Sequence, residues 1–164
     1  MTGELQAAEG QDRRITTQEK MVLLGEATFL FLNSPLHLRY AVHQLPTFIL
    51  TPLRLNQYRI YRSAKGPVGF VAWAWLTDEA ARDYALQRRE LVPADWNAGS
   101  ALWFIEFVAP FGHGPRIVAD LRKQVFPSAT ALSLRRYSDN RPPQVVGWRG
   151  AEAARAGAPL PRWS

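Results

Sequence analysis

Three places in the chain carry residue types that do chemistry. Glu106 is the only charge in the run Ala101-Leu102-Trp103-Phe104-Ile105-Glu106-Phe107-Val108-Ala109. A carboxyl group in so apolar a strand is costly unless it is paired or hydrogen-bonded, so the run calls for a donor from elsewhere in the chain. A strand-end glutamate leaning into solvent, or one paired with an arginine, satisfies the same pattern. His37 stands between Leu36 and Leu38, just behind Ser34-Pro35. A free imidazole titrates at about pH 6.5 and suits a general base, although a histidine on an apolar face also serves as plain core. If Glu106 partners His37, both puzzles resolve together: the carboxyl gains an imidazole N–H and the ring gains orientation. The third place is Gly112-His113-Gly114, between the strongest strand and a helix. Glycines there permit close backbone approach, and the helix start offers free N–H groups to a phosphate; a plain tight turn fits as well.

These residues need elements to hold them. Thr16-x-x-Glu19 has the form of a capping box, opening a helix that ends near Asn33. Ser34-Pro35 reads as an N-cap followed by proline at the first helical position, predicting a short helix from Leu36 to about Gln44 with His37 in its first turn. Pro46 and Pro52 bracket an irregular connector. Gln57–Ser63 and Pro67–Leu76, separated by Ala64-Lys65-Gly66, predict a β-hairpin. Thr77-Asp78-Glu79 caps a helix through about Arg89. The strand 101–109 follows, then a helix over 115–125 and two more strands, 131–137 and 144–148. The order αα-ββ-α-β-α-ββ predicts an α/β chain with a mixed central sheet flanked by helices, and it resembles the GCN5-related N-acetyltransferase fold. Residues 1–14 lack apolar periodicity and predict a mobile leader, 15–150 a single domain, and 151–164 a weakly ordered Ala/Pro/Arg-rich tail with at most a helical turn.

Composition excludes several classes. The 164 residues contain no cysteine, which removes thiol nucleophiles, acyl-cysteine intermediates, disulfides and thiolate metal sites. With three histidines, a His-rich metal centre is not expected. There is no apolar run long enough for a membrane span and no secretory signal pattern, which predicts a cytoplasmic protein. The net charge of +6 is distributed in blocks: residues 27–77 hold Arg39, Arg54, Arg59, Arg62 and Lys65 and no acid, and 107–164 hold nine basic and three acidic side chains. Such blocks predict a basic face for an acidic partner, whether nucleic acid, an acidic carrier protein or anionic lipid.

The residues also carry a family resemblance. Ser34-Pro35-Leu36-His37, Leu55-Asn56-Gln57-Tyr58, Ala72-Trp73-Ala74, Ala94-Asp95-Trp96 with Gly99, and Trp103-Phe104-Ile105-Glu106-Phe107-Val108-Ala109-Pro110-Phe111-Gly112 occur in order over about residues 20–150. Together they resemble the RTX toxin-activating lysine acyltransferases, the hemolysin-activating family. That resemblance implies transfer of a fatty acyl group from acyl-acyl carrier protein to internal lysine ε-amines of an RTX protoxin. The acyl donor would be the carrier's phosphopantetheine thioester, with no permanently bound cofactor and no metal. The resemblance assigns catalysis to His37 and Glu106, with glutamate standing where the family carries aspartate. Ser34, Asn56, Gly112 and Gly114 become candidate substrate- or donor-binding positions. The implied partners are an acidic acyl carrier protein and the protoxin, with no nucleic acid and no membrane span; a homodimer is left open. Two other classes fit parts of the sequence: a small-molecule N-acetyltransferase using acetyl-coenzyme A, and a non-catalytic basic module that binds nucleic acid or toxin.

Overall fold

Local signals set the first helix. In the computed structural model, which describes residues 6–7 and 15–163, α1 (Thr17–Leu32) starts on the expected capping box. The Glu19 N–H donates to Thr16 Oγ1 at 3.2 Å, and the Thr16 N–H donates to Glu19 Oε2 at 2.7 Å. The helix buries Leu23, Ala27, Leu30 and Phe31, residues whose spacing places them on one stripe. It stops at Asn33.

The chain does not continue as the single helix over 36–44 that its pattern predicts. It forms two short 3₁₀ turns, His37–Arg39 and Val42–Gln44. The Ser34 carbonyl accepts from the N–H groups of both His37 and Leu38, each at 3.0 Å. Tyr40 and Ala41 are then extended, with ψ of 129° and 150°, which breaks any continuous helix. The connector between Pro46 and Pro52, expected to be irregular, is helical. A wide turn (Pro46–Leu50) leads into α2 (Thr51–Leu55), and each proline sits in a first turn, where its missing N–H costs nothing.

The expected hairpin is present. β2 (Tyr58–Ser63) and β3 (Gly66–Leu76) pair antiparallel from Tyr58↔Ala72 to Ser63↔Gly66, with Gly66 at φ 119° in the turn. A short β1 (Gln6–Ala7) adds antiparallel to β2; the rest of the expected leader lies outside the described residues. α3 (Asp78–Ala85) is capped by Thr77, whose hydroxyl accepts from the Ala80 N–H at 3.2 Å. It ends short of Arg89, and Gln87 turns left-handed at φ 53° just beyond it. β4 (Ala101–Val108) buries Leu102, Trp103, Phe104, Ile105 and Glu106 consecutively, so both of its faces are covered. α4 (Gly114–Asp120) widens in its last turn, Leu121–Val125. β5 (Thr130–Arg135) runs parallel to β4, and β6 (Gln144–Arg149) antiparallel to β5. The class is α/β with a mixed sheet, as the element order implied. α5 (Ala151–Arg155) begins after Gly150, where a Cβ would lie 2.0 Å from the Phe126 carbonyl oxygen; only glycine fits that approach.

The chain packs as two compact units: Met1–Ala72 with Glu106–Gly114, and Trp73–Ile105 with Pro115–Ser164. In the first, Phe31, Phe48, Ile49, Leu53, Ile60 and Phe70 are buried. A fork-shaped pair ties β2 to α1 there, with Arg62 Nε and Nη2 donating to Glu26 Oε1 and Oε2 at 2.6 Å each. That pair corrects one part of the charge reading. Arg62 belongs to the acid-free stretch, yet its charge is answered by Glu26, whose hydrogen bond holds the guanidinium protonated even more firmly than usual. In the second unit, Phe126 lies edge-on to Trp73, Phe104 and Trp148 at centroid separations of 5.0, 5.7 and 6.3 Å. The same unit explains Gly99: its N–H donates to the Trp75 carbonyl at 2.9 Å, and a Cβ would lie 2.1 Å from the Leu76 carbonyl oxygen. Among the described residues, no helix is long and apolar enough to cross a membrane.

Candidate active site

All six residues singled out from the sequence (Ser34, His37, Asn56, Glu106, Gly112 and Gly114) belong to the first unit. Three of them come together. His37 Nε2 lies 3.0 Å from Glu106 Oε2, although 69 residues separate the two in sequence. Ser34 Oγ lies 2.7 Å from the other ring nitrogen, Nδ1. His37 is 5% exposed and Glu106 2%, so the pair is withdrawn from solvent.

Each side chain is aimed by its backbone. Ser34 follows the end of α1, with its N–H on the Phe31 carbonyl at 3.1 Å. Its own carbonyl takes the His37 and Leu38 N–H groups, which closes a turn that brings Oγ and Nδ1 together. Glu106 lies near the C-terminal end of β4 with its side chain inward, while the next residue, Phe107, is 40% exposed, following the alternation of a strand. The imidazole packs against Phe31 at 4.7 Å and Tyr40 at 5.3 Å between ring centroids.

The second oxygen of Glu106 is also engaged. Tyr40 donates its hydroxyl to Glu106 Oε1 at 2.8 Å. Sequence reasoning missed Tyr40, although its position three residues after His37 placed it one tight turn away from the histidine. With Nε2 protonated, every contact of this array is a proper donor–acceptor pair. The ring donates to Oε2, Tyr40 donates to Oε1, and Ser34 donates to the lone pair on Nδ1. The pattern is that of a base held in one tautomer by an acid on its far side.

The other candidates have local roles. Asn56 is the C-cap of α2 in the left-handed region, at φ 56° and ψ 35°. Gly112 also has positive φ, 81°, in the turn after β4, and Gly114 is the first residue of α4. Phe111 in that turn is exposed and tilts against Phe29 of α1, with centroids 6.1 Å apart.

Comparison with known proteins places the chain in a family. The family model described as the RTX toxin acyltransferase family matches residues 16–149. The chain is a member of that family. It is 35% identical over 117 residues to a lysine-acyltransferase, RtxC, of Vibrio cholerae serotype O1, covering 71% of this chain and 76% of that one. It is 32% identical over 130 residues to a leukotoxin-activating lysine-acyltransferase of Aggregatibacter actinomycetemcomitans, covering 79% and 77%. A protein-lysine palmitoyltransferase of Bordetella bronchiseptica matches at 32% over 143 residues, 85% of this chain and 77% of the relative. The chain is therefore an acyltransferase, and the matched span contains Ser34, His37, Tyr40 and Glu106.

Proposed function

We propose that this acyltransferase moves a fatty acyl group from the phosphopantetheine thioester of an acyl carrier protein to lysine ε-amines of an RTX protoxin in the cytoplasm. The observation that carries the proposal is the Ser34–His37–Glu106 array, with contacts of 2.7 and 3.0 Å. An amine attacks a thioester only after losing its ammonium proton, and its nitrogen must shed another proton as the amide forms. Glu106 occupies Nε2, so Nδ1 is the nitrogen that takes the proton. Ser34 stands on Nδ1 and is less deeply buried than the histidine, which suits it to relay the proton. As the nitrogen–carbon bond forms, the amine proton passes to the Ser34 hydroxyl, and the hydroxyl proton passes to Nδ1. Glu106 stabilises the resulting imidazolium. As the carbon–sulfur bond breaks, the proton returns along the same route to the departing thiolate, leaving amide and free thiol. Backbone donors of the turn at Gly112 and Gly114 are assigned to the donor's phosphate or the thioester oxygen, and Asn56 to substrate binding. The catalytic region is residues 15–150. The donor's acidity suits the exposed Arg54 in the acid-free stretch.

The test is direct. The protein is incubated with acyl carrier proteins of several chain lengths and an RTX protoxin, and the protoxin's lysines are searched for an added acyl mass. Acyl transfer from the carrier that is lost in His37→Ala supports the proposal. Transfer only from acetyl-coenzyme A to a small amine would replace it with the small-molecule reading. Tight oligonucleotide binding unaffected by His37→Ala, with no transfer, would replace it with a binding module.

A further inference from the structure

We infer that Tyr40 is a positioning residue that sets the working orientation of Glu106, and through it of His37. The inference rests on the acyl-transfer reading for its kinetic consequences, and on geometry for the rest. A glutamate carboxyl ends in three rotatable bonds, so a single contact to His37 leaves the group free to swing about that contact. Tyr40 supplies the second point, its hydroxyl on Oε1 at 2.8 Å while the ring Nε2 holds Oε2 at 3.0 Å. With one oxygen committed to each partner, the plane of the carboxyl is defined.

Tyr40 is itself braced. Its ring stands edge-on to Phe31 at 5.5 Å, tilts against Phe48 at 5.4 Å and lies 5.3 Å from the imidazole. Phe31 also packs on His37 at 4.7 Å. One aromatic set thus holds both the donor to Oε1 and the ring on Oε2. The arrangement also meets the demand of a buried acid: Glu106 is 2% exposed, and a neutral phenol satisfies Oε1 without adding a competing cation.

Tyr40→Phe keeps the braced ring and removes only the hydroxyl, so the experiment compares it with wild type in the full chain. Circular dichroism and thermal unfolding are run first, to show that the fold is kept. The expected result is a kcat lower by about tenfold with the KM for the acyl donor within about twofold, since the hydroxyl is bonded to Glu106 and acts on His37 through it. Two-dimensional nitrogen–proton spectra of the histidine ring are the second readout. Wild type shows one Nε2–H tautomer for His37, and Tyr40→Phe shows a mixture of tautomers or a displaced Nε2–H signal. A double-mutant cycle with Glu106→Asp is the third. Shortening the acid by one methylene takes it out of reach of one of its two partners, so adding Tyr40→Phe to Glu106→Asp changes the ring signal and kcat by less than about twofold more. An unchanged ring signal in a folded Tyr40→Phe, or fully additive effects in the cycle, overturns the inference. If wild type transfers no acyl group at all, the acyl-transfer reading has failed, and the ring spectra still decide the role of Tyr40.

Discussion

Ser34 and Glu106 hold opposite nitrogens of one imidazole: Ser34 Oγ lies 2.7 Å from Nδ1 of His37, and Glu106 Oε2 lies 3.0 Å from Nε2. Glu106 is 2% exposed, whereas Ser34 is only partly buried. On the mechanism proposed above, the three side chains form a directional relay, and each has a different mutational signature.

On the proposed mechanism, His37→Ala removes the base. Acyl transfer to lysine falls about a thousandfold or more, while circular dichroism and the thermal midpoint stay near wild type. Glu106→Gln keeps the shape but loses the charge that stabilises the imidazolium, so kcat falls further than donor affinity does. Wild-type rates in His37→Ala would remove the histidine from the mechanism.

On the proposed mechanism, Ser34→Ala breaks the link between Nδ1 and the attacking amine. Turnover is expected to drop about a hundredfold with donor KM unchanged. A trapped acyl group on Ser34, seen by mass spectrometry of the enzyme after brief mixing with donor alone, would instead make the serine a nucleophile and the relay wrong.

Two arginines of the acid-free stretch should behave differently. Arg54 is exposed, so Arg54→Glu is expected to weaken binding of an acidic carrier protein about fivefold, the effect of about 1 kcal/mol, with binding falling further as salt is added. Arg62 is held by Glu26 at 2.6 Å through two bonds. Arg62→Glu should instead lower stability by about 1 kcal/mol, read as a fall in the denaturation midpoint. Carrier binding indifferent to both salt and Arg54 would refute a basic docking face.

Asp95 offers a pH test. The hydrogen bond from Arg89 holds its carboxyl below the usual carboxylate range, with the Val92 N–H adding to the effect. A depressed folded value means that the associated stability is present above the ordinary carboxyl range and is lost as pH falls through the folded value. Asp95→Asn should therefore cost about 1 kcal/mol at neutral pH, and the gap to wild type should close on acidification. Melting curves at neutral pH and at successively lower pH check this, and a gap that is constant with pH contradicts it.

Much of the local structure was legible because it depends on neighbours in sequence. The Thr16–Glu19 box, the hairpin around Gly66, the Thr77 cap and the apolar run of β4 each state their own geometry. The same holds for the need of Glu106 for a donor, since an acid among consecutive apolar residues is a local signal. The family-bearing motifs, too, were readable from the chain alone. Other features depended on contacts that local signals do not encode. The Ser34-Pro35 pattern reads as a helix start, yet the carbonyl of Ser34 takes two N–H groups and its hydroxyl goes to His37, leaving 3₁₀ turns in place of a helix. Arg62 carries a charge that looks free until Glu26 of α1 is folded against β2. Tyr40 looks like any aromatic until β4 brings a carboxyl oxygen to within 2.8 Å of its hydroxyl. A hydrogen bond spanning 69 residues, such as that between His37 and Glu106, exists only once packing has brought the two segments together and excluded the water that would otherwise satisfy both. Sequence therefore determined the residue types and their local frames; the tertiary structure decided which nitrogen, which oxygen and which hydroxyl would meet.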